Sequence, residues 1–588
     1  MNKKQIISVI SALLLIISLS CTREKKPEKI SIYLIETSDI HGAIFDYDFI
    51  INRNSNTSLS KISSYIKDLK AIENVVLLDN GDILQGQPVV YYSNYENVEE
   101  EHICSQVMNY MEYDAATVGN HDIEAGHAVY DKLMNEFNFP WLAANAIHTK
   151  TGKPYFEPYT IIHKEGIKIA VLGLITPGIP KWLPEELWEG IEFIDMVESA
   201  KEWVPKIMEK EKPDLLIGLF HSGYDYTYGG VNYDTPRNEN ASVIVAQQVP
   251  GFDIIFVGHD HRTWNEKIEN VNGDEVIIMG PKGYANQFCV AKAEMILNDQ
   301  NEYDKSFQTE IIDVSHLETD KDFSQKFKDQ ISEVKKYVSH EVGVFEKTVD
   351  AHEAIYGPSE FVDLINTIQL DISDAEISFA APLSFNATLD KGPVYVRDMF
   401  KLYRFENFLY TMKLSGKEID GYLEYSFAHW FNTMESSDDH LLLFKTDDKG
   451  NPLYSEQHQS VSLKNNYYNF DVAAGIKYTV DISKPAGDKV TIHSLTSGDE
   501  FYTDSIYCVA INSYRGNGGG GHLVKGAGIP EDKLNERRIN STDKDIRYYM
   551  MNWIEEQQIL HPEARKEWTV YPEDWWEKAK KKDYELLN

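Results

Sequence analysis

The chain has 588 residues, 42% of them hydrophobic and 12% aromatic, with 57 Lys and Arg against 93 Asp and Glu and a formal net charge of −36. That length exceeds what one hydrophobic core usually organises, and the apolar content suffices for packing, so two globular domains are expected and long disorder is excluded. The acidity excludes a general polyanion-binding surface: no nucleic-acid polymer is expected as a partner, and a phosphate substrate must be captured locally.

In chain order, Lys3 and Lys4 precede an apolar run from Ile6 to Leu19, and Cys21 follows Ser18, Leu19 and Ser20. The run is short for a membrane span and reads as an export signal over residues 1–21. It resembles a bacterial lipoprotein signal, which implies an exported protein held at a membrane by lipid on Cys21, facing the periplasm or the cell surface. Residues 22–29, TREKKPEK, read as a tether. The remaining Cys104, Cys289 and Cys508 are odd in number and widely spaced, so they give no disulfide framework and read as packing residues.

Five segments follow in which a β-rich apolar run ends in a polar loop. IYLI at 32–35 leads to Asp39 and His41, VVLL at 75–78 to Asp82, AATV at 115–118 to Asn120, LLIGLF at 215–220 to His221, and IIFV at 254–257 to His259 and His261. Open α/β sheets place their active sites at such strand ends. Imidazole nitrogen together with carboxylate and amide oxygen suits borderline divalent cations such as Zn, Mn, Fe or Co, whereas Mg or Ca alone would take more oxygen. Seven such side chains, in this order, read as one site for two metal ions.

The loops DIH, GD, GNHD, H and GHDH resemble the ordered signature of the calcineurin-like metallophosphatases. The resemblance implies that Asp39, His41 and His261 hold one ion and Asn120, His221 and His259 the other, with Asp82 bridging. It also implies phosphoester hydrolysis by a metal-bridging hydroxide. His121 is the candidate to protonate the leaving oxygen. It needs an orienting carboxylate, for which Asp122 and Glu124 both stand nearby.

Between about Lys321 and Glu341, Phe323, Phe327, Ile331, Val334 and Val338 recur at helical spacing and predict one amphipathic helix. It resembles the linker helix of the 5'-nucleotidase family, about which the domains of some members rotate. Beyond it, ISFAAP at 377–382, VRDMFKLYRFENFLYTMKLSG at 396–416 and INSYRGNGGGGH at 511–522 have the order of that family's C-terminal domain. The resemblance implies that Phe405 and Tyr514 sandwich a nucleobase, that Asn517 and the glycines from Gly518 to Gly521 let backbone approach the ligand, and that Arg397, Arg404 or Arg515 contacts phosphate or sugar. The 5'-nucleotidase pattern carries an Asp in this glycine run, where this chain has Gly520. The NSYR run at 512–515 and AAP at 380–382 resemble more closely the 2',3'-cyclic-nucleotide 2'-phosphodiesterase and 3'-nucleotidase branch. The last residues, with Trp553, Trp568, Trp575 and Trp576, read as a helical cap.

The expected architecture is therefore α/β (α+β). A four-layer αββα metallophosphatase sandwich over 30–318 is joined by a linker helix, 319–341, to an α/β nucleotide-recognition domain over 342–540, and an extension covers 541–588. The expected substrate is a small nucleotide: a cyclic, 3' or 5' phosphoester, or alternatively a UDP-sugar. A catalytically inactive nucleotide-binding lipoprotein is the contrasting reading.

Overall fold

The computed structural model describes residues 28–455 and 460–587. The expected export signal, Cys21 with its expected lipid, and most of the expected tether lie outside them. Among the described residues no helix is long and apolar enough to cross a membrane.

Two six-stranded sheets face one another. The first runs in the order Tyr303–Asp313, Gln287–Leu297, Lys29–Thr37, Val75–Asp79, Ala115–Thr117, Trp141–Leu142. The second runs Trp264–Glu269, Glu275–Gly280, Ile254–Val257, Leu215–His221, Ile167–Ile175, Tyr159–Lys164. Strand residues alternate between faces, so Ile30, Ile32 and Leu34 enter the layer between the sheets while Ile35 turns to the outer helices. The inter-sheet layer is completed by Val76, Leu78, Ile217, Leu219, Ile254 and Phe256. Leu59–Lys70, Ile103–Met111 and His127–Glu136 cover the outer face of the first sheet, and Met196–Lys210 and Ser242–Gln248 that of the second. The result is the four-layer sandwich expected. The strands that carry the seven polar side chains pair in parallel within each sheet, so their loops leave each sheet along one edge.

A second core lies around a five-stranded sheet ordered Val472–Ala474, Ile377–Ala380, Ile506–Asn512, Leu409–Ser415, Arg538–Ser541. Tyr91, from the N-terminal half, is buried in this core.

Two expectations need correction. The helix anticipated over 319–341 is two helices, Lys321–Lys326 and Lys328–Val338, broken at Phe327, where φ is −100° and ψ 16°. The break accompanies insertion of both Phe323 and Phe327 beside Phe45, with ring centres 6.0 and 6.1 Å away, and both are buried in the N-terminal core. The segment thus packs into the N-terminal core along its apolar face. The C-terminal extension is not purely helical either: Trp568–Tyr571 is a strand parallel to Ile476–Asp481, and Trp568 stacks on Tyr478 with ring planes 2° apart. Trp576 donates to the Tyr356 carbonyl at 2.7 Å, closing the cap. Cys104 and Cys289 are buried and free, and Cys508 is half-buried and free.

Phe323→Ala or Phe327→Ala should each cost about 3–5 kcal/mol, measured as a lower midpoint of denaturant unfolding.

Candidate active site

The loops of the first sheet bring Asp39, His41, Asp82 and Asn120 to one point, and those of the second bring His221, His259 and His261. Asp39, His41, Asp82 and His261 offer donor atoms that all lie within 4.8 Å of one another, and so do Asp82, His221 and His259. Asp82 belongs to both groups. Asn120 joins the second, its Oδ1 lying 3.1 Å from His221 Nε2. Five of the seven, Asp39, His41, Asp82, His259 and His261, hold positive φ between 49° and 73°. Non-glycine residues rarely adopt that region, and such strain concentrates at functional sites. Close nesting of the loops requires small neighbours: a Cβ on Gly119 would stand 2.2 Å from Asp82 Oδ1, and one on Gly258 2.2 Å from Ser38 Oγ.

The donor set fits metal ions on protonation grounds. A carbonyl can only accept, so His41 Nδ1–H donates to Gln85 O at 3.0 Å and His221 Nδ1–H to Asn80 O at 2.6 Å. The Nε2 atoms of both rings are then left to face the cluster. His221 Nε2 lies 3.2 Å from Asp82 Oδ2, and His41 Nε2 lies 3.1 Å from His261 Nε2. Burial pushes His41 and His259 down to about 3, keeping those imidazoles neutral. Burial also opposes ionisation of Asp39 and Asp82, but the imidazoles of His261 and His221 outweigh it and hold both carboxyls below the ordinary range. Asp82 in turn lifts His221 to about 10 against its burial. Proton and divalent cation compete for the same lone pairs, so an ion bound here would displace the proton that His221 otherwise shares with Asp82.

His121 stands beside this cluster with its backbone N–H on Asp82 Oδ1 at 2.8 Å. Its Nδ1 is hydrogen-bonded to Glu124. Burial works against the charged ring, yet Asp82 and Glu124 prevail and raise it to about 9. Asp122 is elsewhere: fully buried, its carboxylate accepts the backbone N–H groups of Asp82, Ile83, Leu84 and Gly119 at 2.7–3.2 Å. The candidate partnership of Asp122 with His121 is thereby corrected, because its oxygens are spent on pinning two ligand loops together.

A cleft of about 550 Å³ opens over the cluster and is lined from both halves of the chain. Phe405, Tyr514, Arg404 and Arg515 come from the C-terminal half. Arg404 donates to the Tyr284 hydroxyl at 2.6 Å, and Tyr284 stacks on His41 with ring centres 4.9 Å apart.

Residues 33–263 match the family model described as calcineurin-like phosphoesterase, and residues 341–525 match that of the 5'-nucleotidase C-terminal domain. A trifunctional nucleotide phosphoesterase of Bacillus subtilis is 26% identical over 93% of this chain, which spans 39% of that relative's length. A 2',3'-cyclic-nucleotide 2'-phosphodiesterase/3'-nucleotidase of Yersinia enterocolitica is 25% identical over 83% of this chain and 81% of its own. A Staphylococcus aureus structure assigned to the 5'-nucleotidases and solved with alpha-ketoglutarate superposes with a TM-score of 0.73 at 20% identity, covering 92% of this chain and 99% of that one, a likeness of fold. The chain unites a calcineurin-like phosphoesterase domain with a 5'-nucleotidase C-terminal domain.

Within the nucleotidase domain the candidate contacts divide. Phe405 and Tyr514 both line the cleft, and Tyr468 meets Phe405 edge-on at 6.1 Å. Arg515 touches the cleft but is 1% exposed and committed inward, pairing with Asp471 and donating to Asn469, Gly519 O and Tyr468 O. Arg397 lies over the Tyr395 ring at 4.0 Å and donates to Val338 O, away from the cleft. Asn517 and Gly518 do not line it either; a Cβ on Gly518 would face Leu534 and Val524. Arg397, Asn517 and Gly518 therefore lie outside the cleft lining. Among the cleft residues that motif reading missed are Gln85, Trp182, Glu239, Tyr284, Asn407 and Tyr468. Tyr467 and Tyr468 stand out in the sequence only as a paired aromatic within NNYYNF at 465–470.

Gly258→Ala should strip bound metal, reducing content from about two ions per chain as read by elemental analysis of the purified protein. Glu124→Gln should leave metal content unchanged but lower kcat about 100-fold for alcohol leaving groups, and only a few-fold for p-nitrophenyl phosphate, whose leaving group needs no proton.

Proposed function

We propose that the chain is a metal-dependent phosphoesterase acting on nucleotides, with 2',3'-cyclic-nucleotide 2'-phosphodiesterase and 3'-nucleotidase activity. The observation that carries this reading is the continuity of one cleft from the seven-ligand cluster, with His121, to Phe405 and Tyr514. Asp39, His41, Asp82 and His261 would hold one divalent ion, and Asp82, Asn120, His221 and His259 the other. When bound, such ions supply Lewis acidity toward the phosphoryl group and acidify the attacking water.

The chain's own side chains do the rest. Protonated His121, its Nδ1 held by Glu124, directs its remaining N–H into the cleft to donate a proton to the departing sugar oxygen. Phe405 and Tyr514 offer π faces to the base, a contact worth about 1–3 kcal/mol per ring at comparable sites.

Gly520 favours the cyclic and 3' substrates over the 5' esters. A Cβ there would stand 2.4 Å from Arg515 Nη1 and 2.9 Å from Asn469 Oδ1. The sugar-binding carboxylate of the 5'-nucleotidase pattern therefore has no room unless the Arg515–Asp471 brace moves. A substrate whose vicinal hydroxyls are already esterified does not call for it. The basic and apolar run before Cys21 supports an exported, lipid-tethered enzyme that supplies nucleoside and phosphate for uptake.

The test is phosphate release by the protein lacking residues 1–21 from 2',3'-cyclic AMP, 3'-AMP, 5'-AMP and UDP-glucose, with Mn, Zn or chelator. Metal-dependent turnover led by the cyclic and 3' substrates is expected. A lead by 5'-AMP or UDP-glucose would overturn the branch, and no turnover in metal-replete protein would overturn the enzyme.

A further inference from the structure

Three of the side chains that the nucleotidase domain sends into the cleft come from one irregular turn, 403–408, between the helix Val396–Leu402 and the strand Leu409–Ser415. Arg404, Phe405 and Asn407 all line the cleft. A turn without regular secondary structure has carbonyls that need donors from elsewhere, and its side chains are only as well aimed as its backbone is held. Here the donors come largely from the C-terminal segment, beyond residue 525 and outside both family matches.

Arg547, 2% exposed, is the centre of this arrangement. Its Nε donates to Tyr403 O at 3.1 Å and its Nη2 to Arg404 O at 3.0 Å. Its guanidinium carbon lies 4.0 Å from the ring centre of Phe400 and 4.9 Å from that of Tyr91, the latter contributed by the phosphoesterase domain. Glu406 lies 3.8 Å from Nη1 and accepts a hydrogen bond from Tyr95, again across the domain boundary. Ile546 N donates to Asn407 O at 2.8 Å, and Thr542 exchanges hydrogen bonds with Leu409. From the opposite side the Gln85 side chain meets Arg404 O at 3.5 Å, while the Gln85 carbonyl accepts from His41.

We infer that Arg547 is a positioning residue for nucleotide recognition: by clamping the Tyr403 and Arg404 carbonyls against Tyr91 it aims Phe405 and Arg404 into the cleft. It touches no substrate, since it does not line the cleft. The role suits arginine in particular. Its planar fork reaches two adjacent carbonyls while its face stacks on two rings, which a lysine ammonium cannot do. The inference rests on the nucleotide reading of the cleft.

The experiment is a double-variant cycle on the full exported chain, using Arg547→Lys and Phe405→Ala. The readouts are KM and kcat for 3'-AMP, the inhibition constant of adenosine, and kcat/KM for p-nitrophenyl phosphate. Arg547→Lys should raise KM and the adenosine constant about tenfold, the loss of roughly one charged hydrogen bond, with kcat and aryl-phosphate cleavage within about twofold of the parent. With Phe405 already removed, the same substitution should add less than about twofold, because contacting elements couple. Multiplicative effects in the double variant, or equal losses on nucleotide and aryl phosphate, would overturn the inference. In the unsubstituted protein, adenosine should slow amide exchange in 542–548 together with 403–409, and protection confined to 403–409 would overturn it without any variant having to fold. A parent that cleaves aryl phosphate but neither cleaves nucleotides nor binds adenosine defeats the nucleotide reading instead.

Discussion

The structure depends on one constraint: seven polar side chains from two different sheets must meet at one point, where carboxylates, imidazoles and an amide crowd together with little water between them. Each sheet delivers its share because its ligand-bearing strands are parallel, so their loops leave along the same edge. The inter-sheet layer of aliphatic residues fixes how far apart those edges stand. The energetic load falls on the loops, where left-handed backbone at Asp39, His41, Asp82, His259 and His261 is tolerated because neighbouring groups hold it. Asp122 is the clearest of these, tying the Asp82 loop to the Gly119 loop through four backbone amides. Ser38, on Asp39 Oδ2, and the carbonyls of Gln85 and Asn80 orient the ligands themselves, as outer-layer partners do in metal sites generally.

Electrostatics divides the work between the halves of the chain. The surface as a whole repels anions, and the cleft itself contains Asp225, Glu239 and Asp260. Attraction for phosphate must therefore be local and strong, which a buried dinuclear site provides and a diffuse basic patch would not. On the proposed reading, recognition of the remainder of a nucleotide would fall to neutral rings and to Arg404, whose guanidinium is tethered to Tyr284 beside His41. The two domains pack directly against one another. Tyr91 of one is buried in the core of the other, and the segment anticipated as a linker is part of the phosphoesterase core.

The same residue type serves opposite ends within this frame. Arg515 and Arg404 are both cleft arginines, yet Asp471, 44 residues earlier in the chain, pairs with the first and holds it inward. Asp122 and Glu124 are both carboxylates beside His121. One helical turn's geometry turns Glu124 toward the ring and Asp122 back toward the loop amides. Only the three-residue step from His121 to Glu124 is local.

The sequence by itself determined the strand-end loops, the seven ligand candidates, the two-domain layout and the family. Metal ligation restricts residue types so severely, and parallel sheets place loops so regularly, that short motifs carry this information. Only the tertiary structure decided that Asp122 turns to loop amides, that Arg515 is committed to Asp471, that Arg515 and Asn469 crowd Gly520, and that the chain beyond residue 525 holds the 403–408 turn. Each of those outcomes is a competition for hydrogen-bond partners or space among residues distant in sequence, and such competitions are settled by packing rather than by pattern.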